Sequence, residues 1–487
     1  MRTGTPLRRS FYLSFSCAKM FFMDYKSYFQ GRKITVMGLG LLGRGIGVVK
    51  FLAENNADLV VTDLKTKEQL APSLKKLTSF KNIKYILGEH KLKDFQDRDM
   101  IIKAAGVPLD SPFIAEAKKC KISVEMDASL FVKLAPAGVK IVGVTGTRGK
   151  SMVTHLLCEI LKENFGDKRV YLGGNVKGIA TLPLLKKVKP GDFVVMELDS
   201  WQLQGFGESR ISPHLALFTT FLNDHQNYYK DSMEKYFADK ANIYRWQTKA
   251  DILLARPQAA KVIKEKDKAG IKGRFKIIKK SDLPASWKHN LLGEHNVENI
   301  ALAVAAAREL GVPDKISKKA IAEFPGLSGR LELIADKGGV KYYNDTNATT
   351  PDAVLAALEA LKKYKGKIIL LGGGADKNLD YTTYIKVVRQ NIKALALFRG
   401  TATDKILKFL TEGGPGEGNP LQGSEERVTL SREAIRVFDN MKEAFAWAKS
   451  KAKRGDVVLL SPGAASFGVF KNEYDRGDQF NKQVKRI

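Results

Sequence analysis

An apolar strand, a glycine turn and a helix opening on Lys-Ser follow one another in Ile141-Val142-Gly143-Val144-Thr145-Gly146-Thr147-Arg148-Gly149-Lys150-Ser151. Few other arrangements constrain a chain so strongly. The backbone N–H groups of such a turn converge on phosphate oxygens, and the dipole of the following helix favours the same negative charge. Lys150 supplies a cation for the terminal phosphates and Ser151 a hydroxyl for Mg²⁺. The spacing departs from the commonest phosphate loop, because Gly146 lies closer to Gly149-Lys150. The strand before it and the helix after it separate this segment from a chance Gly-Lys-Ser.

The chain has 487 residues, enough for roughly three domains of ordinary size. Its net charge of +29 invites a nucleic-acid reading. The lysines, however, are strewn among acids along most of the chain, with no basic stretch interleaved with aromatics. A lysine-rich solvated surface and anionic ligands explain the sign, so neither a nucleic-acid nor a membrane partner is expected. Cys17, Cys120 and Cys158 show no metal or disulfide spacing, which fits a reducing cytoplasm; the chain is expected to act as a monomer. Residues 1–23 read as a disordered extension. Arg8 and Arg9 before an apolar stretch faintly resemble a secretion signal, but Lys19 interrupts it and no cleavage pattern follows.

Three α/β segments follow, at 24–137, 138–326 and 327–487. The first opens on the strand Lys33-Ile34-Thr35-Val36-Met37 and the turn Gly38-Leu39-Gly40-Leu41-Leu42-Gly43, with Asp63 after the next strand. This is a Rossmann-like pattern that any nucleotide diphosphate satisfies. In the second, an apolar strand ends in Glu197, where a carboxylate can reach a metal ion. A strand spanning 215–222 ends in Asn223-Asp224-His225. His225 reads either as a metal ligand or as a satisfied structural residue. Lys240, on a helix, reads by itself as a surface lysine. Asn296 and Asn299 either contact a base or cap their helix. The third segment alternates strands and helices again, with strands at 367–371, 394–398 and 457–461. The polar run 344–350 is a binding loop, and 413–420 a glycine-rich surface loop.

Taken in order, Gly146-Thr147-Arg148-Gly149-Lys150-Ser151, Gly173-Gly174-Asn175, Glu197-Leu198-Asp199-Ser200-Trp201-Gln202, Asn223-Asp224-His225, Lys240, Gly293-Glu294-His295-Asn296, Ser328-Gly329-Arg330-Leu331-Glu332 and Asn344-Asp345 resemble the Mur ligases of peptidoglycan synthesis. The glycine-rich first segment and the ending Leu460-Ser461-Pro462-Gly463-Ala464-Ala465-Ser466 point to the branch that adds D-glutamate.

The resemblance implies three domains: a Rossmann-like N-terminal domain, a central P-loop ATPase-type parallel sheet and a Rossmann-like C-terminal domain. It implies ATP-driven ligation of D-glutamate to UDP-N-acetylmuramoyl-L-alanine through an acyl phosphate, a related ligase with another acceptor being the alternative. By similarity, Gly146, Thr147, Arg148, Gly149, Lys150, Ser151, Asn296, Asn299, Arg330 and Asp345 bind ATP. Ser151, Glu197, His225 and a carbamylated Lys240 serve two Mg²⁺ ions, and Lys150, His225 and Lys240 are the catalytic set. Leu41, Leu42, Asp63 and Leu64 hold the UDP group. Asn175, Ser200 and Gln202 face the muramoyl part, while Asn347, Thr349, Lys377 and Ser466 take the amino acid. The acceptor pocket departs from the family pattern: Asn347 stands where a lysine is usual, Thr350 where asparagine is common, and Glu473 where an aromatic is expected.

Overall fold

The computed structural model describes residues 24–41, 43–412 and 430–487. The leader 1–23, Leu42 and the loop 413–420 lie outside the described residues. Among these residues the strands form three sheets, distributed over two compact units. One unit takes the chain to Gly138 together with Leu182–Pro190; the other comprises Val139–Thr181 and Gly191–Ile487.

In the first unit, β1 (Lys33–Met37), β2 (Asp58–Asp63), β3 (Ile83–Leu87), β4 (Met100–Lys103) and β5 (Ser123–Glu125) form a parallel sheet ordered β3-β2-β1-β4-β5. The order reverses at β1, so the crevice at its carboxyl end, where the glycine turn sits, is the expected ligand position. The short turn Leu182–Lys186 belongs to this unit. Its Leu182 N–H donates to Asp127 Oδ1 at 2.7 Å.

The second unit carries two sheets. Strands β6 (Lys140–Thr145), β7 (Val170–Gly174), β8 (Phe193–Glu197), β9 (Leu215–Phe218), β10 (Ile252–Ala255) and β11 (Arg274–Ile277) are all parallel, in the order β11-β10-β9-β6-β8-β7. After Lys140, every residue of β6 is buried, because helices cover both faces of a parallel sheet. Helices Lys150–Phe165 and Glu294–Glu309 seal one face, with Leu156, Leu157 and Ile160 in a common core with Ile300 and Val304. Each such side chain contributes about 1.5–3 kcal/mol on burial. The sheet therefore holds the phosphate loop rigidly at its switch point.

The other sheet runs β12-β13-β17-β14-β15-β16, from Glu332–Lys337, Val340–Asn344, Val457–Leu460, Ile368–Gly373, Ile392–Phe398 and Ile435–Phe438 respectively. All neighbours are parallel except β12, which pairs antiparallel with β13 across a register shift between Leu333 and Ala335.

One strand is shorter than its apolar run suggests. The stretch 215–222 is extended only to Phe218, because Thr219 and Thr220 turn their hydroxyls onto the Arg148 carbonyl at 2.5 and 3.2 Å.

Candidate active site

The phosphate loop is braced from behind by those two threonines. Thr220 Oγ1 also accepts from the Arg148 N–H at 2.9 Å. Gly146 and Gly149 have φ of 139° and 89°, and a Cβ there would lie 2.0 Å from Thr219 Oγ1 and 2.5 Å from Asn299 Oδ1. Only glycine fits such positions. The Lys150 ammonium donates to the loop carbonyls of Gly146 and Thr147 at 3.1 and 3.2 Å. Arg330, from beyond the middle sheet, donates to Ser151 Oγ at 3.0 Å. A cation from the C-terminal segment thus meets the hydroxyl expected to face a phosphate-bound metal.

Lys240 corrects the reading of a surface lysine. It is 1% exposed. Its Nζ donates to Gly146 O at 2.9 Å and Thr145 Oγ1 at 3.4 Å, and lies 5.0 Å from the Tyr236 ring centroid. Burial, reinforced by the neighbouring Lys150 charge, pushes its ammonium well below the ordinary lysine range. Burial lowers Lys150 as well, against the opposing charge of Glu197. His225 has φ of 56° and a ring 4.8 Å from Trp201. Burial holds it below its ordinary value, against the pull of Asp224, so the imidazole is neutral at pH 7. A neutral imidazole can be a ligand. Glu197, at the end of β8, is 6% exposed. Asp199 caps the next helix through Gln202 N–H at 2.7 Å, placing Ser200 and Gln202 in its first turn, both buried.

Asn296 and Asn299 do not cap their helix: Gly293 is the N-cap, without a side-chain bond. Asn296 Nδ2 donates to Leu292 O at 2.8 Å, while Asn299 bonds Asn296 Oδ1 at 3.2 Å and accepts from Arg256 at 3.3 Å. A cavity of about 450 Å³ opens where this helix begins, lined by His289, Gly293, His295, Ala356, Ala360 and Lys362 among others.

On the C-terminal sheet, the loops after β13, β14 and β17 meet at the carboxyl ends of adjacent strands. Lys377 Nζ donates to Thr349 Oγ1 at 3.0 Å. Asn347 turns aside, giving its amide to Ser328 O at 3.3 Å. Ser466 is buried. Asp345 accepts from Ser461 Oγ at 2.8 Å and Leu331 N–H at 3.0 Å, and burial pushes its carboxyl up to about 7. Arg476, fully buried, binds Thr346 Oγ1, Thr346 O and Ala464 O at 3.2, 2.9 and 3.3 Å, pinning this loop from below.

In the first unit, Asp63 Oδ2 accepts from Gly40 N–H at 2.9 Å and Oδ1 from Lys65 N–H at 2.9 Å. The acid therefore shapes the glycine turn itself. Leu41 and Leu64 beside it are 50% and 66% exposed, a large solvent face for two leucines. Leu42 is not among the described residues.

The sequence reading passed over Thr219 and Thr220, and it gave neither Trp201 nor Arg476 a role in the site. The Thr-Thr pair directly after an apolar strand, beside a phosphate loop, was the available signal. Arg476-Gly477 belongs to the C-terminal pattern of the resemblance, but its burial under the 344–350 loop is tertiary, since an arginine on a helix normally reads as solvated.

The fold and site together define a three-domain phosphate-loop enzyme, and this chain belongs to the Mur ligase family. Residues 32–125, 144–307 and 329–463 match, respectively, the MurD-like N-terminal domain, the Mur ligase middle domain and the Mur ligase glutamate ligase domain. A relative from Roseiflexus sp. (strain RS-1), named UDP-N-acetylmuramoylalanine--D-glutamate ligase, is 34% identical over 93% of this chain and 98% of its own length. Relatives of the same name from Borreliella afzelii and Acetivibrio thermocellus are 33% and 32% identical, over 93% and 95% of this chain and 97% and 98% of their own lengths. Among solved structures, MurC of Thermotoga maritima superimposes with a TM-score of 0.58 at 18% identity, over 93% of this chain and 99% of its own. MurF of the same organism, in complex with ADP, gives 0.57 at 15% identity, over 95% and 97%. These likenesses establish the three-domain Mur ligase fold. No helix among the described residues is long and apolar enough to cross a membrane.

Proposed function

We propose that this chain is an ATP-dependent carbon–nitrogen ligase of peptidoglycan precursor synthesis, joining D-glutamate to UDP-N-acetylmuramoyl-L-alanine with release of ADP and phosphate. A free carboxylate is a poor acyl donor because an oxide would have to leave. Its oxygen attacks the γ-phosphorus of ATP, ADP departs, and an acyl phosphate forms. The acceptor amine then attacks the acyl carbon; the C–O bond to phosphate breaks, and the amine gives up its proton. Charge accumulates on phosphoryl and acyl oxygens throughout, so the site needs cations and fixed donors more than a nucleophile.

One observation carries this reading. The phosphate loop, the buried Lys240 bound to its Gly146 carbonyl, and Arg330 on Ser151 meet in one unit that also holds Lys377. Lys150, Arg330 and the loop N–H groups bind the transferred phosphoryl. Ser151 and Glu197 offer the hard oxygens that Mg²⁺ prefers, with neutral His225 for a second ion. Bound there, the metal supplies charge neutralisation at the phosphates. A carbamate also fits Lys240: among the described residues no carboxylate forms an ion pair with it, and burial lowers its ammonium toward the neutral amine that adds CO₂. The UDP group is assigned to Leu41, Leu42, Asp63 and Leu64, and the muramoyl part to Asn175, Ser200 and Gln202. Thr349, Lys377 and Ser466 are assigned to the amino acid, with Asn347 at their edge.

Trapping tests the activation step. With ATP and UDP-N-acetylmuramoyl-L-alanine but no amino acid, hydroxylamine should yield the substrate hydroxamate; its absence, with ADP still formed, would exclude an acyl phosphate. The acceptor pocket yields a second expectation. A lysine at position 347 adds a cation beside a dianionic ligand, worth about 1.5–3 kcal/mol for a charge-assisted bond. Asn347→Lys should therefore lower the apparent KM for D-glutamate about tenfold. An unchanged or higher KM would show that position 347 does not face the ligand.

A further inference from the structure

Arg148 is a phosphate-loop residue whose side chain is turned away from the loop. Its backbone is locked by Thr219 and Thr220, as described above. Its guanidinium bridges Asp224, after β9 of the middle sheet, and the start of a helix of the C-terminal sheet. Nη1 donates to Asp224 Oδ2 at 2.8 Å, Nε to Asp352 Oδ2 at 3.1 Å, and Nη2 to Thr350 Oγ1 at 2.8 Å and Asp352 Oδ1 at 3.3 Å. Against its burial, the two carboxylates hold Arg148 above its ordinary value. A fork surrounded by two carboxylates is poorly disposed to take a phosphate as well.

Its C-terminal partners mark the start of helix Pro351–Ala360. Thr350 is the N-cap, yet its hydroxyl makes no capping bond and accepts from Arg148 instead. Asp352 stands in the first turn, where a carboxylate is favoured by the dipole. The preceding residue, Thr349, accepts from Lys377. Arg148, Thr350, Thr349 and Lys377 thus form one continuous series from the phosphate loop to the loop after β14. Lys377 is also within electrostatic reach of Asp224 and Arg148.

We infer that Arg148 is a positioning residue for the amino-acid acceptor: by holding Thr350 and Asp352 against the phosphate loop, it sets the Thr349–Lys377 pair that receives the acceptor's carboxylate. This rests on the ligase reading above. Acceptor binding then depends on the contact between the phosphate loop and the C-terminal sheet, and an acceptor meets an ordered site only when phosphoryl transfer is also in register.

The test uses the full chain in steady-state ADP release, with hydroxamate trapping as a separate readout of donor activation. Asp352→Asn removes one ion pair outside the reacting centre. It should raise the KM for D-glutamate about tenfold, the effect of one charge-assisted hydrogen bond. The KM values for ATP and the sugar nucleotide, and the hydroxamate yield, should stay within about twofold. Thr350→Val should act in the same direction and Thr350→Ser should keep the wild-type value, so that the effect is read at a second position and follows the hydroxyl that accepts from Arg148. Arg148→Lys combined with Asp352→Asn should be no worse than the weaker single variant. An unmoved D-glutamate KM in both Asp352→Asn and Thr350→Val, or a shift confined to ATP, overturns the inference. Failure of the ligase reading looks different: the wild-type chain itself then gives neither hydroxamate nor ADP.

Discussion

Lys150→Ala should abolish ADP release while leaving the fold intact. The Lys150 ammonium now bonds two carbonyls of its own loop, at 3.1 and 3.2 Å, a resting position from which it can move onto an arriving phosphate. Its cationic neighbours are differently engaged: burial disfavours the Lys240 ammonium, and Arg148 is surrounded by Asp224 and Asp352. In the proposed site, Arg330 on Ser151 is then the remaining described cation placed to meet the charge on the γ-phosphoryl oxygens. Loss of one such preorganised cation costs about 10²–10³-fold or more in kcat. The fold should not suffer, because burial already disfavours the Lys150 ammonium. A thermal midpoint near wild type with no detectable ADP is the expected pair of results. Turnover within about tenfold of wild type would remove Lys150 from phosphoryl transfer.

Lys240→Ala should be comparably inactive, but for a different reason, and it should be recoverable. A structural lysine this deeply buried normally has a carboxylate partner. Here the described partners are a carbonyl, a hydroxyl and an aromatic face. Burial that disfavours the ammonium fits the proposed carbamylation, which would convert a basic side chain into a carboxylate beside Gly146. Small carboxylates such as formate or acetate should then restore part of the activity of the alanine variant. The sign with pH follows. The carbamate forms from the neutral amine, so acidification and removal of CO₂ should each lower wild-type activity, and bicarbonate should return it. Rescue by small amines instead of carboxylates would identify Lys240 as a cation and sink the carbamate.

Local features were the legible ones. The glycine turn at 38–43 and the loop at 146–151 are short-range signals, and both sit where a parallel sheet reverses its strand order. The strand ending at Glu197 was read correctly because β8 is apolar on both faces. Strand β12 was not, since its residues are half-buried or exposed at a sheet edge and carry no alternation. The run 215–222 was over-read, because threonines look β-prone until a neighbouring loop takes their hydroxyls. Long-range placement was beyond reach. Arg148 and Asp352 are 204 residues apart, and no spacing rule joins them. The burial of Lys240 is likewise tertiary: it comes from the packing of helix Met233–Ala241 into the unit, with the ammonium reaching the phosphate loop at Gly146.

Phosphate release from ATP, with UDP-N-acetylmuramoyl-L-alanine present and D-Glu, L-Glu, L-Ala, L-Lys or diaminopimelate added singly, tests the whole account most directly. The expected result is release that requires both the sugar nucleotide and an amino acid, with D-glutamate the preferred acceptor. No ADP under any pairing of sugar nucleotide and amine would contradict it outright.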